Sequence, residues 1–103
     1  MIFAKNNLVN SESNIKICNF TDDSIISKKF LLLFQKLDYI YNWQIDFINI
    51  NLETNKILSN KYNVKSNGLV IILNWKIIYR TIWYIKINIL EEKIKSLLIY
   101  KKN

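Results

Sequence analysis

The stretch "YNWQIDFININLETNKILSNKYNVKSNGLVIIL", residues 41–73, holds two apolar runs separated by a short polar-rich helix pattern. "IDFINI", 45–50, reads as apolar on both faces, as a central parallel strand covered by helices on each side must be. "ETNKILSNKY", 53–62, reads as a short helix with Ile57, Leu58 and Tyr62 inward, and "NVKSNG" breaks it at Asn67 and Gly68. "LVIIL", 69–73, is a second buried strand. Two strands joined through a helix run parallel with a right-handed crossover, so this segment already implies an α/β sheet.

Working outward from it adds the remaining elements. On the N-terminal side, "IKICNF", 15–20, alternates imperfectly, as a strand does, and the polar turn "TDDS" follows. Asp22, Asp23 or Ser24 can each accept a bond from an orphan backbone N–H at a helix start, and carboxylates there suit the helix dipole. Ile26, Phe30, Leu33, Leu37 and Tyr41 then recur at steps of three or four, which predicts a helix over 25–42. On the C-terminal side, "NWK", 74–76, has the length of a hairpin connection into "IIYRTIWYI", 77–85. A last helix from about Asn88 sets Leu90, Ile94, Leu97 and Leu98 on one face.

The order is therefore β-α-β-α-β-β-α, an α/β three-layer sandwich with a mixed four-stranded sheet. It forms one domain over residues 15–101. Residues 1–14, "MIFAKNNLVNSESN", are expected to be a frayed helical lead-in or a disordered arm.

Composition bounds the function. At 103 residues the chain can bury roughly 60 to 70% of its unfolded surface, enough for a core without staples. The single Cys18 has no internal disulfide partner, and the first 14 residues lack the apolar segment of a signal peptide. No apolar run approaches the roughly 18 residues needed to span a membrane. A cytoplasmic protein away from the membrane is expected. The net charge of +7 invites a nucleic-acid reading, but the lysines are scattered. Ile, Asn and Lys supply about half the chain, Gly68 is the only glycine and proline is absent. Their codons are rich in A and T, so drift in an AT-rich genome accounts for the charge, and nucleic acid is not the expected partner.

The arrangement resembles the thioredoxin family. "NINLETN" is similar to the family's "xxNIDxN" strand end, "KYNVKSNGLVIIL" to "KYGIRGIPTLLLF", and Leu90 to Leu98 to the terminal "ELxxFLxxxL" helix. The same register carries "IKICNFTDDSIISKKF" onto "ILVDFWAEWCGPCKMI", so the resemblance covers residues 15–98. It implies that Ser24 and Ser27 stand where the family keeps its attacking and resolving cysteines, making the C-G-P-C motif Ser24-Ile25-Ile26-Ser27. The family's thiol works as a thiolate at a helix N-terminus. A serine hydroxyl forms no reversible S–S partner, and the chain has no histidine to act as its base.

Other positions depart in the same direction. The family's buried acid aligns with Cys18, the tryptophan before its first cysteine with Asp23, and its cis-proline with Gly68; Tyr84 falls near the glycine lining its substrate groove. The family's first strand is missing from the pattern. These readings imply a thioredoxin-like protein with a degenerate active site, without dithiol-disulfide activity, retained to bind another protein. The implied groove is Asp23, Ser24, Ile25 and Ile26 on one side and Asn67 and Gly68 opposite. No cofactor or metal is called for. Two alternatives stand beside it: a monothiol enzyme working through Cys18, and a small basic domain in which Trp75 and Trp83 interleave with Lys76, Arg80 and Lys86 to stack on single strands. The plainer readings are a buried strand cysteine, cross-strand packing of the tryptophans, and serines that only cap a helix.

Overall fold

All seven residues of Ile15–Thr21 are buried, and this strand is the centre of the sheet. The computed structural model describes residues 1–4, 13–81 and 83–102. In chain order its elements are β1 (Ile2–Phe3), β2 (Ile15–Thr21), α1 (Ile25–Tyr41), β3 (Asp46–Asn51), α2 (Lys56–Lys61), β4 (Gly68–Leu73), β5 (Lys76–Arg80) and α3 (Ile87–Lys102). The strand order is β1-β3-β2-β4-β5. β2 runs parallel to β3, from Lys16 opposite Asp46 to Thr21 opposite Asn51, and antiparallel to β4. β3 and β4 therefore run in opposite directions with β2 between them, which corrects the expected parallel crossover through α2: the two strands are not neighbours, so the crossover rule does not govern them.

Among the described residues the sheet thus has five strands, and the expected four is corrected. β1 pairs parallel with β3 through Ile2 opposite Ile48 and Phe3 opposite Asn49. The next residue, Ala4, is buried and donates its N–H to Asn49 O at 3.1 Å. Two residues are too few to show a period, so "IF" carries no strand signal of its own. The chain start belongs to the sheet and not to a helical lead-in; residues 5–12, the rest of that expected segment, lie outside the described residues.

Alternation along the strands splits the core in two. Ile15, Ile17, Phe47, Leu69 and Ile71 pack with Phe30, Phe34 and Leu37 of α1 and Leu90 and Ile94 of α3. Cys18, Phe20, Ile48, Ile50, Val70 and Ile72 pack with Leu58 of α2 and with Tyr62 and Val64. Within the sheet Asn19, Asn49 and Thr21 form a buried polar group: Asn19 Nδ2 donates to Asn49 Oδ1 at 3.3 Å across the β2–β3 register, and Asn49 Nδ2 donates to Thr21 Oγ1 at 3.5 Å.

Three local expectations change for physical reasons. Asn51 Oδ1 accepts from the N–H groups of Glu53 and Thr54, at 2.8 and 3.2 Å, which holds these residues in a turn and delays α2 to Lys56. The shortened helix buries Leu58 and leaves Ile57 62% exposed. The hairpin turns on Asn74 and Trp75, with φ of 51° and 68°, so Lys76 already belongs to β5. β5 ends at Arg80 because Thr81 Oγ1 accepts from Leu69 N at 2.9 Å, substituting for a ladder carbonyl.

Candidate functional site

β2 ends at Thr21, and four residues later α1 begins. Ser24 is the N-cap of that helix, extended at φ −68° and ψ 156°, and its Oγ accepts from Ser27 N at 3.1 Å. Of the three candidate caps in the sequence, Ser24 fills the role. Asp22 instead braces the turn, its Oδ1 accepting from Ser24 N at 2.8 Å. Hydrogen bonding by Ser24, first through its hydroxyl and then through its backbone N–H, holds the Asp22 carboxyl below its usual range.

Ser27 is 1% exposed. Its Oγ donates to Asp22 Oδ1 at 2.9 Å, accepts from Asp22 N at 3.2 Å, and lies 3.1 Å from Tyr84 OH. Tyr84 OH donates to Phe20 O at 2.9 Å, while its ring stacks on Phe30 with centroids 4.2 Å apart and planes 4° from parallel. Burial pushes the Tyr84 phenol up to about 12, so it stays protonated at neutral pH. One hydroxyl from the helix start and one from the segment before α3 therefore close over the end of β2.

The opposite wall is Asn67 and Gly68. Asn67 Nδ2 donates to Ser24 Oγ at 3.4 Å, while Asn67 Oδ1 is buried without a hydrogen-bond partner among the described residues. Gly68 is not a helix-breaking turn but the first residue of β4, opposite Phe20, and its φ is not positive. No peptide bond among the described residues is cis.

Ser24, Ser27 and Asn67 are thus brought together, with Gly68 beside them. Ile25 and Ile26 point outward, 71% and 67% exposed, and Asp23 is exposed between the caps. Cys18 is elsewhere: it is fully buried among Phe20, Tyr62 and Val70 on the α2 side of the sheet. Burial pushes its thiol up to about 12, outweighing the lowering influence of Lys16, so no thiolate forms near neutrality. Asp22 and Tyr84 are the residues that sequence reasoning missed as partners of Ser27. Asp22 was legible only as a possible cap, and Tyr84 only through its place near the family's groove. Among the described residues no cluster of three or more His, Cys, Asp or Glu could hold a metal ion, and no helix is long and apolar enough to cross a membrane.

No family model matches the sequence, and no curated protein matches it. Solved structures do. A mutant thioredoxin from Halobacterium salinarum superposes with a TM-score of 0.82 at 15% identity, over 92% of this chain and 88% of that one. The chain has the thioredoxin fold. A malaria-parasite thioredoxin-2, described as a component of the parasite's protein secretion machinery, gives 0.78 at 23% identity over 87% and 89% of the two chains. A reduced thioredoxin pre-protein of Schistosoma mansoni gives 0.72 at 18%, over 82% and 80%.

With only one cysteine, this thioredoxin-fold chain cannot contain a CxxC pair. The start of its α1 offers four hydrogen-bonding partners, Asp22, Ser24, Ser27 and Tyr84, all occupied with one another. The Asp22 carboxylate among them is held below its usual range, which makes it a weak base. What the site presents to solvent is the pair Ile25 and Ile26, with Asp23 beside them.

Proposed function

We propose that the chain is a redox-inactive thioredoxin-fold binding module that contacts another protein through Asp23, Ser24, Ile25 and Ile26 on one side of the old groove and Asn67 and Gly68 on the other. The observation that carries this reading is the use of both serine hydroxyls. Ser24 Oγ is spent on capping α1, and Ser27 Oγ is held between Asp22 and Tyr84. Hydroxyls engaged in this way stiffen the helix start and leave no reactive atom there. The buried, protonated Cys18 supports the same conclusion, because thiol exchange needs an accessible thiolate.

Binding follows from what remains outside. Ile25 and Ile26 are exposed side by side, and Trp83, the chain neighbour of Tyr84, is 72% exposed. Fully covering one such aliphatic side chain contributes roughly 1.5 to 3 kcal/mol before the costs of association. A rigid frame under them lowers those costs. The parasite neighbour described as part of a secretion machinery is an instance of the same fold working inside an assembly.

Two measurements test the reading. In an insulin-reduction assay with dithiothreitol the chain is expected to add nothing to the reductant, and activity abolished by Cys18→Ser overturns the redox half. Partner capture is expected to drop with Ile25→Asp and Ile26→Asp. Unchanged capture by both variants rules out this surface.

A further inference from the structure

Phe30, Phe34 and Leu37 turn one face of α1 toward the sheet, and among the described residues nothing covers the opposite face. An exposed helix face is ordinarily polar, and this one is not. Ile25 and Ile26, Leu32 and Leu33, Tyr39 and Ile40 are exposed pairs that recur every seven residues, with Leu32 63% and Tyr39 86% exposed. Lys29 and Lys36, also exposed and also seven apart, stand between the pairs along the helix. At about 100° of turn per residue, both lysines fall inside the arc from Leu32 to Leu33, on the midline of the apolar stripe and not on its rim. Leu32, Gln35, Lys36, Tyr39 and Ile40 line one shallow hollow of about 570 Å³, so this lysine and the apolar side chains share a surface.

Period and charge decide the occupant. A repeat of seven is the spacing at which one helix packs along another, and the 17 residues of α1 offer about 25 Å of it. The stripe carries two cations and no carboxylate. Asp38, the only acidic residue of α1, lies roughly 200° round the helix from Lys36, with its Oδ2 3.0 Å from the Met1 amino group. A second α1 laid along the first therefore adds lysines and no carboxylate to compensate them, and like charges brought together oppose association. A lipid surface suits lysines that flank an apolar stripe, whereas these interrupt it. A helix with a carboxylate wherever α1 has a lysine matches both the pairs and the cations.

We propose that the outer face of α1 takes an amphipathic helix of another protein, its apolar side chains packing on the three pairs and its carboxylates, one every seven residues, meeting Lys29 and Lys36. Ile25 and Ile26 belong also to the contact surface of the proposed function, and at that end the helix site rests on that reading; Leu32, Lys36 and Tyr39 are its own. The apolar contacts supply most of the affinity, while the exposed ion pairs, each worth little, set register and partner choice.

The probe is a fluorescent synthetic helix of roughly 21 residues, three repeats of seven, with a leucine pair and one glutamate on the same face of each repeat. Its controls are the same helix with Lys for Glu and a scrambled sequence without the seven-residue repeat. Binding is followed by fluorescence anisotropy and by amide shifts in the full chain. The Glu helix is expected to bind roughly tenfold more tightly than either control and to move the amides of residues 28–40. Lys29→Glu combined with Lys36→Glu, both at exposed positions that folding tolerates, is expected to cost the Glu helix roughly tenfold and to favour the Lys helix. Equal binding of the scrambled control overturns the helix site, and so do shifts confined to residues 67–68. Binding that survives Ile25→Asp but not Leu32→Asp upholds this face even where the groove reading fails. Binding lost with Ile25→Asp and unchanged by Leu32→Asp returns the contact to the groove and overturns the helix site alone. Recruitment to phosphatidylglycerol vesicles without binding of the Glu helix makes the face lipid-seeking and defeats the proposal. So does a dimer that Leu32→Asp disperses, because the occupant is then a second copy.

Discussion

The hydroxyl oxygens of Ser27 and Tyr84 lie 3.1 Å apart although 57 residues separate them in the chain. Each carries one proton, yet Ser27 also reaches Asp22 Oδ1 and Tyr84 also reaches Phe20 O. Two protons serve three close oxygen pairs. Removing either hydroxyl therefore strips a brace from both α1 and the segment leading into α3.

Tyr84→Phe keeps the stack on Phe30 and loses the phenol oxygen. It is expected to destabilise by about 1 kcal/mol in urea unfolding, the net contribution of a partly buried hydrogen bond. Ser27→Ala is expected to cost more, about 1 to 3 kcal/mol, because the Asp22 N–H loses its acceptor as well. The double variant should lose less than the sum of the two, since the residues share one bond.

Ser24→Ala removes the cap of α1 and is expected to cost about 1 kcal/mol in thermal or urea unfolding, whereas Ser24→Asp should retain most of the stability. A loss from Ser24→Asp as large as that from Ser24→Ala would assign the hydroxyl a role beyond capping.

Two carboxylates predict opposite pH effects. The Asp22 carboxyl is held below its usual range in the fold, so its contribution to stability is present above the unfolded-state pKa of 3.8 and fades as pH falls through the lower folded value. Burial raises that of Asp46 despite Lys16 nearby, so its contribution is complete below 3.8 and is lost as pH rises through the higher folded value. Asp22→Asn should flatten the acid limb of stability against pH, and Asp46→Asn should flatten the limb just above it. Unfolding curves between pH 2 and 6 measure both.

The thiol of Cys18 is expected to resist a thiol reagent such as dithionitrobenzoate in the native chain and to react fully once denatured. Rapid native reaction would mean that β2 opens locally, and hydrogen exchange at residues 15–21 would then have to be equally fast.

The order of seven elements was legible chiefly where an element buries enough apolar residues to show its period: Phe30, Phe34 and Leu37 on α1, or the unbroken run of β4. What the sequence hid was either too short or too far apart. β1 has two residues, and the Ser27–Tyr84 contact joins distant positions through hydroxyls that no pattern of hydrophobicity records. The turn at Asn74 and Trp75 escaped for another reason: a tryptophan at positive φ contradicts the glycine preference, and Lys16 Nζ, 4.6 Å from the ring centroid, is the partner that the fold supplies. At the site, the cap and the exposed isoleucines could be read from residue type alone. The identity of the cap could not, because Asp22, Asp23 and Ser24 all qualify until the backbone chooses.

The buried amide pair of Asn19 and Asn49 bears on how so uniform a sheet finds its alignment. The apolar side chains of β2 and β3 are almost all isoleucine or phenylalanine, which adhere in almost any pairing. A slip of one residue turns every side chain over, and a slip of two in one direction sets Asn49 against Ile17, leaving an amide stranded in hydrocarbon. In a chain where greasy side chains are plentiful and nearly interchangeable, two asparagines act as the key that tells one strand where along its neighbour to stop.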